Sequence, residues 1–318
     1  MTNRSAGRIF VFGLGYTAAR LAYRLAAAGW QIAGTCRSGD KRERLAGLGG
    51  HVHLFDRGRA LDASGIAALD AASHILSSVP PDEAGDPVID VHGDEIARSG
   101  AGWIGYLSST SVYGDRGGDW VDEDSEPLPS TDRGRRRLAA EGAWLTLWRE
   151  AGRPVHVFRL AGIYGPGRSA LDAIRRGRAR RVIKPGQVFS RIHVEDAVTA
   201  LIASMARPRP GAVYNLADDL PAPPEAVIEH ASALLRVAPP PAVAFAEADL
   251  PPTGRDFYAD CRRVRNDRIK RELGVTLAAP DFRTGLASIL AGEHAVQSPQ
   301  TSATASSSNS ISAGDDSR

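Results

Sequence analysis

Short apolar runs alternate with amphipathic stretches along the first half of the chain. Each run has the length of a buried strand, and several are bounded by glycine or proline. The predicted strands cover residues 9–12, 31–37, 51–55, 73–79, 103–108 and 155–160. Because strands that alternate with helices form parallel sheets, this pattern predicts an α/β fold with a doubly wound parallel sheet.

The pattern in the second half is less regular. It predicts a strand over residues 211–216 and helices over residues 132–151, 223–237, 266–273 and 281–291. A further helix is entered through residues 192–196 and ends at residue 206. Residues 181–191 are interpreted as a hairpin that turns at Pro185 and Gly186. From Gln297 onwards the chain is rich in Ser, Thr, Ala and Gly. We expect a disordered tail over residues 295–318, because so few apolar side chains cannot offset the entropy of ordering.

A glycine-rich turn follows the first predicted strand. Gly13, Gly15 and Ala18 have the spacing G-x-G-x-x-A and lead into a helical pattern. In such a turn the first glycine allows the sharp bend, the second lets the backbone approach a pyrophosphate, and the small third residue allows close helix packing. We therefore expect these residues, with Tyr16 and Thr17 between them, to bind a dinucleotide at the helix N-terminus. A glycine turn without a ligand is the alternative.

The end of the second strand indicates which dinucleotide is bound. An NAD site places an Asp or Glu about 20 residues beyond the glycines. This chain has Thr35, Cys36, Arg37 and Ser38 there instead. Because an arginine can pair with the 2′-phosphate of NADP, Arg37 predicts NADP in preference to NAD. A solvated charge after the strand is the alternative.

Polar residues follow several of the predicted strands. Ligands of doubly wound sheets bind beyond the carboxyl ends of the strands, which here carry Gly13, Arg37, Asp56, Ser77 and Ser109. We therefore expect Asp56 and Ser77 to contact the cofactor and Ser109 to orient a substrate oxygen.

Six segments occur in an order that resembles a known superfamily. They are GLGYTA, LSSTSVYG, RRRLAAE, FRLAGIYGPGR, FSRIHVEDAVTALI and VYNLADD. Between residues 8 and 290 the chain resembles the extended and atypical short-chain dehydrogenases/reductases, the NAD(P)-dependent epimerase/dehydratase superfamily. The resemblance implies a Rossmann domain over residues 1–165. It also implies a small C-terminal α/β substrate lobe over residues 166–294, interleaved with the last sheet strands.

The catalytic pair that the resemblance implies is absent. The superfamily uses a Tyr-x-x-x-Lys pair, and aligning the segment LAAE puts Arg133 at the Tyr position and Arg137 at the Lys position. Arginine cannot release a proton near neutral pH, although Arg137 could still bind ribose hydroxyls. Ser109 matches the superfamily's Ser/Thr. We therefore expect Tyr113 to supply the proton for catalysis, with Tyr164 as a second candidate.

Two classes of function remain open. One is a reductase or epimerase that acts on an unknown small polar substrate, including a nucleotide-linked one. The other is a redox sensor or regulatory binding protein that holds NADPH without turnover, which the missing Tyr favours. The basic run over residues 175–181 is either a solvated loop or a site for a substrate phosphate.

Composition excludes several other classes. The net charge is only +2, so nothing global favours nucleic acid, and no apolar run approaches the ~18 residues of a membrane span. We expect neither a signal peptide nor a metal site, since no Cys/His cluster has metal-ligand spacing. Cys36 and Cys261 form no disulfide framework, which favours a reducing cytoplasm. We expect a monomer or homodimer.

Overall fold

The computed structural model describes residues 6–48 and 50–297. The strands are β1 Arg8–Phe12, β2 Gln31–Cys36, β3 His51–Leu54, β4 His74–Ser77, β5 Trp103–Ser109, β6 Trp120–Val121, β7 Val155–Leu160, β8 Gly162–Tyr164, β9 Arg181–Ile183, β10 Arg191–His193, β11 Val213–Leu216, β12 Ala242–Ala244 and β13 Arg263–Val264. The α-helices are α1 Tyr16–Ala27, α2 Gly39–Arg44, α3 Ala63–Asp70, α4 Pro87–Arg98, α5 Asp132–Ala151, α6 Ala170–Arg175, α7 Val194–Ala206, α8 Pro224–Leu235, α9 Pro252–Ala259, α10 Asp267–Leu273 and α11 Phe282–Gln297. Ala46–Leu48 and Thr110–Tyr113 form short 3-10 helices.

The predicted parallel sheet is confirmed. Within the described residues it has seven strands in the order β11-β7-β5-β4-β1-β2-β3, and every neighbouring pair is parallel. The chain runs outward from β1 to β3 and then returns to place β4 on the other side of β1. This reversal leaves a crevice between the carboxyl ends of β1 and β4, where Phe12 pairs with Ser77. Ligands of doubly wound sheets bind in such a crevice.

Alternate residues of the strands enter two apolar layers, as expected of a sheet that helices cover on both faces. One layer contains Phe10, Tyr106 and the α5 residue Trp144, all fully buried. The other contains Val11 and Phe158 together with the apolar faces of α1 and α7. Burying a large apolar side chain contributes roughly 1.5–3 kcal/mol, so the two layers hold the strand ends in fixed positions.

Asp86 caps the N-terminus of helix α4. Asp86 Oδ1 accepts hydrogen bonds from the Val88 and Ile89 N–H groups, with Pro87 in the first turn. Asp86 Oδ2 accepts from Trp144 Nε1 at 3.0 Å, so the same carboxylate ties α4 to α5. Burial raises the pKa of Asp86, and its three hydrogen bonds partly offset that shift.

The short strands form a smaller lobe in parallel pairs, β8 with β10, β9 with β12 and β6 with β13. Helices α6, α8 and α11 enclose a separate apolar cluster that includes Leu171 and Phe282. Between these short strands the chain returns to the sheet, where β11 pairs with β7 and α7 joins the apolar layer that contains Val11. The predicted division into two domains stays a prediction. Within the described residues no helix is both long enough and apolar enough to cross a membrane.

Two details of the second half differ from expectation. The predicted hairpin over residues 181–191 is wrong: a turn with Gly186 at φ +79° is present, but β9 pairs with β12 and β10 pairs with β8. The predicted last helix is too short, because α11 runs from Phe282 to Gln297. The predicted tail therefore begins no earlier than residue 298, and residues 298–318 lie outside the described residues.

Candidate functional site

The turn between β1 and α1 is held by hydrogen bonds to the structure on both sides. Gly13 has a φ of +78°, a conformation that favours glycine. Its N–H donates to Thr35 Oγ1 at 2.8 Å, and the Leu14 N–H donates to the Thr35 carbonyl at 2.8 Å. Ser78 Oγ, just after β4, donates to the Gly13 carbonyl. The turn is therefore fixed at the crevice, between the end of β2 and the end of β4.

The N-terminus of α1 has room for an anion. Gly15 is the N-cap residue, and within the described residues no side chain caps this helix and no acid lies in its first turn. A Cβ on Gly15 would lie 3.6 Å from Ser78 Oγ and 3.9 Å from the Gly13 oxygen, which are ordinary contact distances. Packing within the protein therefore does not require glycine here, whereas close approach of a pyrophosphate would. These residues fit a dinucleotide.

The three residues that open α1 connect the turn to its surroundings. Ala18 is fully buried and Thr17 is nearly so, which lets α1 pack closely on the sheet. Tyr16 Oη donates to the Pro166 carbonyl at 3.0 Å, and the Arg168 guanidinium lies 5.6 Å from the Tyr16 ring. Tyr16 thus fastens the turn to the first residues of the lobe. A contact of these side chains with cofactor stays a prediction.

Arg37 extends from the end of β2, beside the glycine turn. Its side chain is exposed and makes no ion pair within the described residues. Thr35, which holds the turn, lies two residues earlier, so the positions of the turn and of Arg37 are set by the same strand. Lys41 and Arg42 follow in α2 and add positive charge nearby. Arg37 therefore lies at the sheet edge that carries the glycine turn, and its contact with a 2′-phosphate stays a prediction.

Asp56 and Ser77 also lie at this edge, in different surroundings. Asp56 Oδ1 accepts from the Gly58 N–H at 3.0 Å and Oδ2 accepts from Arg59 at 3.1 Å, so the carboxylate shapes its own turn. Ser77 is fully buried at the end of β4, and its Oγ has no hydrogen-bond partner among the described residues. Because protein atoms enclose this hydroxyl, a cofactor reaches it only if the neighbouring side chains move. Cofactor contact by either residue stays a prediction.

Ser109 and Tyr113 belong to the same short turn, but their side chains lie in different surroundings. Ser109 Oγ is half-buried and accepts from the Ser111 N–H at 3.2 Å. Tyr113 is fully buried, its Oη donates to Asn215 Oδ1 at 2.8 Å, and Arg159 Nη1 donates to that Oη at 3.0 Å. Burial also raises the pKa of Tyr113. A phenol enclosed in this way has no path to a substrate carbonyl, so the structure argues against the predicted acid role.

The sequence analysis missed the buried polar network to which Tyr113 belongs. Glu141 and Arg159 form an ion pair with Oε2 and Nη2 2.8 Å apart, and their side chains are 2% and 6% exposed. Ser108 Oγ donates to Glu141 Oε1 at 2.5 Å. The network joins α5 to β5 and β7. The signal for it was a charged residue inside each of two otherwise apolar segments, FRLAG and LAAEG.

The proposed second acid, Tyr164, lies in the lobe instead of at the crevice. Its Oη donates to the Asp281 carbonyl at 3.3 Å, and its ring packs edge-on against His193 with centroids 5.2 Å apart. Burial and the neighbouring Asp218 raise the pKa of Tyr164 well above its usual range. Tyr164 forms part of the wall of the pocket described next.

A pocket of about 480 Å³ opens in the small lobe between α6, α8 and α11. Its positively charged wall consists of Arg168, Arg176, Arg178, Arg180 and Arg191. Three of these, Arg176, Arg178 and Arg180, belong to the basic run over residues 175–181 and are solvent-exposed, so both interpretations of that run stay open. The run's two end residues face elsewhere, where Arg175 pairs with Glu293 and Arg181 with Glu229.

A buried carboxyl group that the sequence analysis missed, Asp218, lies near this wall. It follows β11, is 1% exposed, and neither carboxylate oxygen has a hydrogen-bond partner among the described residues. Its N–H donates to the Arg191 carbonyl at 2.6 Å. Burial raises the pKa of Asp218 to about 8, and the charge of Arg191 only partly offsets this. Asp218 is therefore largely protonated at neutral pH.

The comparison with known proteins agrees with this geometry. A profile of the NAD dependent epimerase/dehydratase family matches residues 94–217. Protein YeeZ of Escherichia coli (strain K12) is 30% identical over 220 residues, which cover 66% of this chain and 77% of YeeZ.

Solved structures extend the comparison to nearly the whole fold. A conserved protein of unknown function from Silicibacter pomeroyi DSS is 49% identical, with a TM-score of 0.82, over 90% of this chain and 99% of that chain. UDP-glucuronic acid 4-epimerase from Bacillus cereus, solved with UDP-glucuronic acid and NAD, shares the fold, with a TM-score of 0.73 and 14% identity over 91% of this chain and 99% of that one. The chain therefore belongs to the NAD dependent epimerase/dehydratase family, as the order of its six motifs predicts.

Proposed function

We propose that this protein binds NADP, in preference to NAD, along the carboxyl edge of its sheet and acts as a reductase or epimerase on a small polar substrate. The observation that carries the proposal is the pair of hydrogen bonds from Gly13 and Leu14 to Thr35. They place a glycine turn suited to a pyrophosphate beside an exposed arginine suited to a 2′-phosphate.

The pyrophosphate and the 2′-phosphate of the dinucleotide have separate binding residues in this proposal. The N–H groups at the start of α1 bind the pyrophosphate, and Arg37 binds the 2′-phosphate through charge-assisted hydrogen bonds. A nicotinamide cofactor supplies hydride transfer. Ser109, half-buried at the end of β5, provides a hydroxyl for a substrate oxygen.

The pocket in the small lobe supports a polar, negatively charged substrate. Its wall is rich in arginine, and its volume of about 480 Å³ is sufficient for a small-molecule ligand. The Bacillus cereus neighbour was solved with UDP-glucuronic acid and NAD. A nucleotide-linked substrate is therefore one class to test in this pocket.

A specific observation favours the second candidate, a protein that binds NADPH without turnover. Arg133 and Arg137 occupy the positions where the superfamily has its Tyr and Lys, and the phenol of Tyr113 is enclosed. Without a proton donor near the nicotinamide, binding could report the NADPH level through a conformational or partner readout.

Calorimetric titration with NADPH and NADH tests the proposal. A charge-assisted hydrogen bond contributes about 1.5–3 kcal/mol, so NADPH should bind at least about tenfold more tightly. Arg37→Ala should abolish that preference, whereas Arg44→Ala, an exposed arginine later in α2, should retain it. Equal affinities for the two cofactors, or a preference that survives Arg37→Ala, would contradict the proposal.

A screen of carbonyl compounds and sugar nucleotides with NADPH separates the two candidates. Turnover of any compound supports the enzyme. Tight NADPH binding with no turnover across the screen favours the sensor.

A further inference from the structure

A second, smaller cavity lies next to the crevice. It has a volume of about 260 Å³ and is lined by Pro80 and Pro81, which follow β4, and by Arg133, Arg136 and Arg137 from the first turns of α5. The start of α5 packs on the turn that contains Ser109, because a Cβ on Gly134 would come within 2.8 Å of the Ser111 carbonyl oxygen. The cavity therefore adjoins the turn of Ser109, the residue proposed to hold a substrate oxygen.

Two of the three arginines that line this cavity, Arg133 and Arg137, have no acidic partner among the described residues. Arg137 is 9% exposed, and its Nη1 donates to two neutral acceptors, Tyr106 Oη at 3.0 Å and the Leu107 carbonyl at 2.9 Å. Among the described residues, no carboxylate lies within 4 Å of the Arg137 or Arg133 guanidinium. Arg136 does have a partner, Glu83, at 3.0 Å on the surface.

The surroundings of Arg133 increase this imbalance. Its guanidinium lies over the ring of Phe257 at 5.7 Å. Arg133 is exposed at one side, and partial desolvation together with the neighbouring guanidiniums of Arg137 and Arg168 lowers its pKa, which Asp256 opposes only weakly. Cations gathered from α5 and from the segment before α6 repel one another. An anion bound between them would remove that repulsion.

We propose that this cavity is a receptor for one anionic group of the substrate, a carboxylate or a phosphate, held by Arg133 and Arg137. Arginine suits this role because its planar guanidinium donates two parallel hydrogen bonds to either group. A volume of about 260 Å³ accommodates one such group but not a whole nucleotide. That the anion belongs to a substrate rests on the proposed function, whereas the anion site itself does not.

Calorimetric titration of the full chain with inorganic phosphate and with malonate, without cofactor and at constant ionic strength, tests the proposal. Arg133→Gln should weaken binding of at least one probe about tenfold. Arg133→Lys should recover part of that loss, because lysine keeps the positive charge but cannot donate two parallel hydrogen bonds. Arg135→Gln is the matched control, since Arg135 lies in the same turn of α5, pairs with Asp132 and does not line the cavity.

The two probes show whether the cavity binds a phosphate or a carboxylate, and a second control variant shows that the binding is in this cavity. Loss of phosphate binding alone assigns a phosphate, and loss of malonate binding alone assigns a carboxylate. Arg176→Gln, in the larger pocket, should leave the Arg133-dependent component unchanged. Wild-type affinity for both probes in Arg133→Gln, or an equal loss in Arg135→Gln, would overturn the proposal. Because no cofactor is present, this outcome is independent of the NADPH titration.

Discussion

Asp218→Asn should flatten the dependence of stability on pH. The Asp218 carboxyl is 1% exposed and has no hydrogen-bond partner among the described residues, so its charged form is strongly disfavoured in the folded chain. Asparagine has nearly the same shape and cannot titrate. The substitution therefore removes the titratable carboxyl proton and leaves the packing around the side chain unchanged.

The sign and size of the effect follow from the two pKa values. The pKa of Asp218 is raised from 3.8 to about 8 in the folded chain. Below pH 4 both states hold the proton; between pH 4 and pH 8 the folded chain keeps it while the unfolded chain releases it. Stability therefore falls as pH rises through this window, by about 1.4 kcal/mol per pH unit for one proton. Between pH 5 and pH 7 the wild type should lose about 2.5 kcal/mol relative to Asp218→Asn.

Urea unfolding at a series of pH values measures this difference. Buried histidines such as His156, whose pKa burial lowers to about 4, change stability in the opposite direction over part of the range. They titrate equally in both proteins, so the difference between wild type and variant isolates Asp218. Asp249→Asn, at a nearly fully exposed carboxyl, should follow the wild-type curve. Parallel curves for wild type and Asp218→Asn would refute the reasoning.

Three further predictions concern the network and the chain end. Tyr113→Phe should lower the unfolding free energy by about 1–3 kcal/mol, because Asn215 and Arg159 lose a buried partner, yet leave NADPH affinity within about twofold in a titration. Glu141→Gln should cost about 3–5 kcal/mol in urea unfolding, since it leaves Arg159 buried without its countercharge; a cost below about 1 kcal/mol would contradict the assigned pair. Removing residues 298–318 should shift the melting temperature by less than about 2 °C, because they offer few apolar side chains to bury.

Local signals in the sequence were enough to predict the sheet. An apolar run followed by glycines or prolines marks a strand and its end, so β1, β4 and β7 were predicted to within two residues at either end. Asp86 with Pro87 stands at the start of α4, and Gly29 at φ +83° follows the end of α1, as local capping rules require. These features depend on residues close together in the chain.

Features set by distant partners could not be predicted in the same way. Whether Tyr113 faces the crevice or the interior depends on Arg159 and Asn215, which belong to other strands. The segment 181–191 contains a Pro-Gly pair typical of a turn, but its strands β9 and β10 pair with β12 and β8 instead of with each other. A charged residue in an apolar segment, such as Glu141, indicates that a buried ion-pair or hydrogen-bond partner exists, but the segment alone does not show which residue it is.

The most direct test of the account measures NADPH affinity in Gly15→Ala. A Cβ at this position meets no atom closer than 3.6 Å, so the variant should fold with a melting temperature within a few degrees of wild type. If a pyrophosphate lies against this backbone, the added methyl group should weaken NADPH binding at least about tenfold. Gly142→Ala, in open space on α5, should leave affinity unchanged. A folded Gly15→Ala protein that binds NADPH as tightly as wild type would contradict the account.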